Sequence, residues 1–160
     1  MTADKNTIIL MLVFACGLLA GFVLFGFIAP QLVSPEKQVI ITEGAPNPIG
    51  PYNQAIKSGD FVYLSGQIGI DSATGNLSAT PGEQTVRAME NLHAVLQESG
   101  LGFGDVVQTR IYLTNLSDLT MVNEIYGSYF KDGYPARATV QVAGLPKGAA
   151  VEIEMVARKR

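Results

Sequence analysis

The sequence feature that most constrains this chain is an uninterrupted apolar run over residues 8–29, IILMLVFACGLLAGFVLFGFIA. At about 1.5 Å per residue, a helix of this length reaches roughly 33 Å, close to the bilayer core of about 30 Å. The run has no charged residue and no polar face, which favours a spanning helix over an interfacial one. We therefore predict a single-pass N-terminal anchor and a membrane localisation.

A cleaved signal peptide is the main alternative to an anchor. Its apolar region is usually about 7–15 residues long and precedes a small-x-small cleavage site, and the run offers neither feature. A lipoprotein signal ending at Cys16 is a further alternative, although Phe14 fits such a signal poorly. Lys5 before the run and Lys37 after it leave the side of the membrane undetermined. The predicted division is a tail over residues 1–7, a transmembrane helix over 8–29, a linker over 30–38 and a folded domain over 39–160.

The scarcity of reactive side chains argues against several classes of function. A formal net charge of −3 argues against a nucleic-acid partner. The single cysteine, Cys16, lies in the apolar run, which excludes a disulfide framework and a multi-cysteine zinc site. His93 is the single histidine, so a histidine metal cluster and a Ser-His-Asp triad are not expected.

The pattern of residues 39–160 predicts an α+β domain, with one sheet and two helices on one of its faces. One helix begins at a Thr80 capping box and ends before Gly100, and a second is capped by Ser117 or Asp118 and runs to about Phe130. The helical spacing predicts a buried stripe of Val86, Met89, Leu92, His93 and Leu96. Strands are predicted over residues 39–41, 54–57, 61–67, 106–114, 136–142 and 151–157, which gives the order β-β-β-α-β-α-β-β.

Arg137 and Glu152 are the candidate chemical groups of this domain. Strand alternation places each of them on a polar face, opposite an apolar one. A solvated sheet surface would explain both residues. A guanidinium fork can also bind a substrate carboxylate through two hydrogen bonds, and a carboxylate can deprotonate a water molecule.

Residues 39–160 resemble the Rid family (RidA/YjgF, reactive intermediate deaminases) over their whole length. No single matching motif is specific, but the set is. The matching stretches are Ile49-Gly50-Pro51-Tyr52 with Gln54, Leu64-Ser65-Gly66-Gln67-Ile68, Val122-Asn123 with Tyr126 and Phe130, Pro135-Ala136-Arg137, Leu145-Pro146, and Val151-Glu152-Ile153-Glu154 with Ala157.

The resemblance implies a chorismate-mutase-like mixed sheet in a homotrimer, with three sites in the clefts between subunits. It implies hydrolysis of 2-imino or 2-enamino acids to 2-keto acids and ammonia, without a cofactor or metal. Arg137 stands at the carboxylate-binding position and Glu152 at the water-activating position. The remaining pocket positions are Tyr52, Ser65, Gly66, Asn123 and Thr139. Thr139 departs mildly from the family pattern, which often has cysteine there, and residues 1–37 have no counterpart.

Simple strand pairing does not bring the two candidate groups together. In a hairpin between the last two strands, Arg137 would face residue 156, four residues or about 13 Å from Glu152. Either another strand order or a subunit boundary is needed. Two alternative functions also stay open: hydrolysis of a different imine, and a non-catalytic trimer that binds small molecules or acts like a chaperone.

Overall fold

The computed structural model describes Asp4 and residues 36–159, which fold around one mixed sheet. Six strands lie in the order β1-β2-β3-β6-β4-β5, and every neighbouring pair is antiparallel except β4 and β5. The predicted α+β class and element order are confirmed. The elements are β1 (Gln38–Ile40), β2 (Ala55–Ser58), β3 (Phe61–Ile68), α1 (Pro81–Glu98), β4 (Val106–Leu113), α2 (Leu119–Gly127), β5 (Ala136–Gln141) and β6 (Val151–Arg158).

Helix α1 begins where the sequence predicts it. The Thr80 hydroxyl accepts a hydrogen bond from the Glu83 amide, and the Glu83 carboxylate accepts one from the Thr80 amide. Gly100 follows the helix with a φ of 73°, a left-handed conformation that favours glycine. The predicted stripe is wrong at two positions, because Val86 and His93 are exposed. The buried face instead follows the set Thr85, Ala88, Met89, Leu92, Val95 and Leu96.

The core lies between the two helices and one face of the sheet. Ile153 and Met155 of β6 are buried there with Ile111 of β4. Residues directly opposite one another in a register share a face, so Glu152 and Glu154 lie on the other side, here called the open face. Tyr63 and Val140 are 50% and 45% exposed, and they also belong to the open face.

Strand β5 does not form a hairpin with β6, because β4 lies between them. Arg137 pairs with Thr109 of β4, and Thr109 pairs with Met155 of β6, so Arg137 lies on the helix side of the sheet. The apolar residues of β5 therefore belong to the open face. The alternation itself is as predicted, but the register of β5 on β4 turns the polar face of β5 toward the helices.

The predicted membrane localisation is corrected. Among the residues that the structure describes, no helix is both long enough and apolar enough to cross a bilayer. The longest of them, α1, carries Glu83, Arg87 and Glu90 on its outer surface, which suits a helix that packs on one side only. The predicted transmembrane helix over residues 8–29 lies outside the described residues.

Candidate active site

Arg137 lies in a pocket between β5 and α2, here called the arginine pocket. Its lining residues are Asn123, Tyr126, Gly127, Tyr134, Pro135 and Arg137. The guanidinium carbon lies 4.9 Å from the centroid of the Tyr126 ring. None of the acidic side chains described in the structure lies within ion-pair distance of Arg137. Its hydrogen-bonding edge is therefore open to an anionic ligand.

Two buried polar atoms lie near Arg137: one belongs to a residue of the same pocket, and the other to a residue two positions further along β5. The Asn123 side-chain oxygen and the Thr139 hydroxyl are both buried without a hydrogen-bond partner among the described residues. A buried polar atom without a partner costs about 1–3 kcal/mol. A ligand or a neighbouring chain could satisfy these atoms, and both residues are positions that the sequence singles out.

Glu152 lies in a second depression, here called the glutamate cleft. Tyr52, Ser65 and Gly66 line it, together with Ile68, which pairs with Glu152 across the sheet. Burial raises the pKa of the Glu152 carboxyl, and the nearby charge of Glu154 raises it further. A carboxylate of raised pKa is a better proton acceptor than an ordinary one.

Gly66 is the point where the backbone of β3 passes beneath the Glu152 side chain. A β-carbon at this position would overlap the Glu152 carboxylate, and it would also lie 3.0 Å from the Glu152 Cγ. The register between β3 and β6 shifts between Leu64 and Gln67, so Gly66 lies in a bulge. Bulges re-aim side chains next to functional sites. Gly66 therefore provides the space that the carboxylate occupies.

Gln54 holds the loop that carries Tyr52 against the sheet. Its side-chain amide donates to the carbonyls of Thr42, Ala45 and Pro46, and its oxygen accepts from the Thr42 amide. The Ser65 hydroxyl donates to the Asn53 carbonyl at 2.7 Å. Because Gln54 is 1% exposed, its hydrogen bonds are largely shielded from water and fix one wall of the glutamate cleft.

One chain does not bring its Arg137 and Glu152 together. They lie on opposite faces of the sheet, on strands separated by β4. Asn123 shares the arginine pocket, and Thr139 shares its side of the sheet, whereas Tyr52, Ser65 and Gly66 share the glutamate cleft. The strand order differs from a hairpin, which was one of the two alternatives, yet the two groups still diverge within one chain. Among the described residues, no cluster of three or more His, Cys, Asp or Glu side chains could hold a metal ion.

Comparison with known proteins identifies the family to which this chain belongs. The profile described as Endoribonuclease L-PSP matches residues 42–159. The chain belongs to the Rid family. It is 46% identical over 122 residues to the human protein named 2-iminobutanoate/2-iminopropanoate deaminase, covering 76% of this chain and 89% of that one. A RutC family protein of Pyrococcus abyssi is 48% identical over 124 residues, covering 77% and 98%.

Solved structures also match about three quarters of the chain. RidA from an Antarctic Psychrobacter gives a TM-score of 0.74 at 43% identity, covering 76% of this chain and 98% of that one. TdcF of Escherichia coli, solved with bound serine, gives a TM-score of 0.75 at 37% identity, covering 77% and 99%. The Rid fold predicted from the sequence is therefore confirmed.

Two further side chains lie beside the candidate site, and the sequence singles out neither of them as a functional residue. Gln54 and Tyr126 belong to the matching motifs of the sequence, and both side chains are buried with a hydrogen-bonding group. A buried polar side chain needs hydrogen-bond partners. The signal for Gln54 was therefore a glutamine next to a loop of mainly glycine, proline and apolar residues, 44–53. Lys147, which lines the glutamate cleft, has a φ of 54°, and the sequence gave no indication of that conformation.

Proposed function

We propose that this protein hydrolyses 2-imino and 2-enamino acids to 2-keto acids and ammonia. The observation that carries the proposal is a guanidinium with an open edge and a carboxyl of raised pKa, at the two positions where the family resemblance puts substrate binding and water activation. The printed name of the human relative supports the reaction class. The serine bound to TdcF supports a ligand that carries a carboxylate.

The proposed reaction adds water across a carbon–nitrogen double bond. Arg137 binds the substrate carboxylate through two parallel hydrogen bonds. Glu152 takes one proton from water as the oxygen attacks C2, and the carbon–nitrogen double bond becomes single. That proton passes to nitrogen. The carbon–nitrogen bond then breaks as Glu152 takes the hydroxyl proton and the carbonyl forms, and the departing ammonia takes this proton from Glu152 as ammonium. An iminium carbon is already electrophilic, so orienting the substrate and the water supplies most of the catalysis.

The direct test generates the imine substrate enzymatically in the assay mixture. A threonine dehydratase, threonine and semicarbazide are incubated with and without the full chain, and formation of the trapped imine is followed. A deaminase lowers trapping by hydrolysing the imine first. Unchanged trapping, together with measurable binding of 2-oxobutanoate, would favour the non-catalytic binding alternative instead. RNA serves as a control substrate, and we expect no cleavage, because the single histidine lines neither the pocket nor the cleft.

The replacement Gly66→Ala should lower deaminase activity by more than about tenfold while leaving the fold intact. The added methyl group displaces the Glu152 carboxylate, which is the end of a flexible side chain, so the backbone need not move. Activity and thermal unfolding are the measurements. Gly102→Ala is the matched control, because nothing described lies within 4 Å of a β-carbon there. An active Gly66→Ala protein would contradict the proposed place of the carboxylate.

We further propose a homotrimer in which the arginine pocket of one chain meets the glutamate cleft of its neighbour. Two observations support it: Arg137 and Glu152 diverge within one chain, and β5 is an edge strand with exposed Ala136, Ala138 and Val140. An exposed edge with apolar side chains is suited to association.

Light scattering on the purified protein should therefore give the mass of three chains. Ala138→Arg places a charge on the exposed edge strand and should yield smaller species with little activity. Val86→Lys, on the outer face of α1, should keep both trimer and activity. A fully active monomer would refute the shared site.

A further inference from the structure

Arg137 and Tyr126 of the arginine pocket form a chain of contacts with Thr109, which is buried behind them in β4. Thr109 and Arg137 lie side by side in the register of β4 and β5. Tyr126 of α2 reaches both of them: its hydroxyl donates to the Thr109 hydroxyl at 3.1 Å, and its ring faces the Arg137 guanidinium at 4.9 Å. Tyr126 is 2% exposed and Thr109 is fully buried. One tyrosine thus connects the core to the candidate substrate-binding cation.

We propose that Tyr126 is a positioning residue, whose ring holds the Arg137 guanidinium in the orientation that binds the substrate carboxylate. This inference rests on the proposed function for its substrate, although the contact itself does not. A ring covers the face of a guanidinium and leaves its hydrogen-bonding edge free. A carboxylate partner would instead occupy that edge and compete with the substrate.

The benefit to binding comes from restricting a long side chain in advance. Fixing a free arginine side chain costs about 1.5–2 kcal/mol of rotamer freedom, and a guanidinium already stacked on a ring loses less when the ligand arrives. The arginine pocket therefore approaches its bound geometry before a substrate enters.

The Tyr126 ring is also held from one further side by an aromatic cluster. Phe130 packs against it with a centroid separation of 4.7 Å, and Phe103 packs against Phe130 at 5.5 Å. Burial raises the pKa of the Tyr126 hydroxyl, which keeps it protonated and able to donate to Thr109. The Tyr126 side chain that packs against Arg137 is thus uncharged and held in one position.

Kinetics of the full chain test the proposal. Tyr126→Leu removes the ring face and should raise KM by about tenfold, within the range of cation–π energies, with a much smaller change in kcat. Tyr126→Phe keeps the ring and should recover most of the loss. Tyr129→Leu is the matched control, because Tyr129 packs on Phe103 and should leave KM unchanged. A wild-type KM in Tyr126→Leu, or a loss confined to kcat, would overturn the proposal.

A second series keeps the test decisive if Tyr126→Leu does not fold. Phenylalanine with one, two or three ring fluorines at position 126 preserves the shape of the ring while weakening its negative face. The Kd of 2-oxobutanoate should rise stepwise with the number of fluorines. A flat series would overturn the proposal, because a merely structural ring would not respond to its electrostatics.

A nuclear magnetic resonance measurement separates this inference from the proposed function. In the wild-type protein, the Arg137 side-chain Nε–Hε signal should be displaced by the Tyr126 ring current, and Tyr126→Leu should remove the displacement. An inactive wild-type protein with a displaced signal would refute the deaminase function but support the positioning role. An active protein whose Arg137 signal is unchanged in Tyr126→Leu would support the deaminase function and refute the positioning role.

Discussion

Replacing Arg137 with alanine is expected to lower kcat/KM for imine hydrolysis by about 10²–10⁴-fold, because two charge-assisted hydrogen bonds of about 1.5–3 kcal/mol each are lost. The fold should survive, since Arg137 lies on an edge strand and is exposed. The trapping assay and thermal unfolding of the full chain measure the two effects separately.

The Arg137→Lys variant tests whether the substrate carboxylate needs only a positive charge at position 137 or also the planar guanidinium fork. Arg137→Lys keeps the positive charge but offers a single ammonium, which cannot make two parallel hydrogen bonds or stack as a plane on Tyr126. We expect it to be severely impaired as well. Near-normal turnover by Arg137→Lys would show that the fork is unnecessary, and it would weaken the proposed role of the Tyr126 ring.

Replacing Glu152 with glutamine should abolish turnover while leaving 2-oxobutanoate binding within about threefold. The amide keeps the size of the side chain but cannot accept a proton from water, and general-base catalysis contributes about 10²–10⁴-fold. Calorimetry measures binding and the trapping assay measures turnover. Equal loss of both would indicate that Glu152 has a structural role in the cleft.

Glu154, two residues further along β6, provides the matched control. Its carboxylate pairs with Arg110 on the open face, so Glu154→Gln should fold and retain turnover at neutral pH. Glu152 must be ionised to act, and its pKa is raised, so activity should fall on acidification at a pH above the usual range of a glutamate. Glu154→Gln removes one of the two causes and should move that acid limb to lower pH. An unchanged limb would show that another group titrates there.

The element order was predictable because its local signals agree. The Thr80 capping box, the Gly100 stop and the alternation of β6 each depend on residues close in sequence, and each is confirmed. Spacing alone predicts Val86 and His93 in the buried stripe, and both are exposed. Helical spacing fits several stripes that differ by a small rotation about the helix axis. Which of them is buried depends on how α1 packs on the sheet.

The candidate site was only partly predictable because its chemistry depends on strand order. Alternation identified Arg137 and Glu152 as polar positions, and the resemblance supplied their expected roles. No local rule could show that β4 lies between their strands, or that the helix side of β5 is its polar side. The stacking of Tyr126 on Arg137 depends on both facts, so a sequence pattern could not predict it.

The divergence of Arg137 and Glu152 has a genetic consequence. If each site takes its arginine from one chain and its glutamate from the next, a chain that lacks either group can still contribute the other. Two inactive alleles, one defective at each residue, would then complement in mixed trimers, and with random assembly about a quarter of the sites would be intact. Deaminase activity in a cell that carries two alleles would therefore depend on which two alleles are combined, and not only on whether each allele is active by itself.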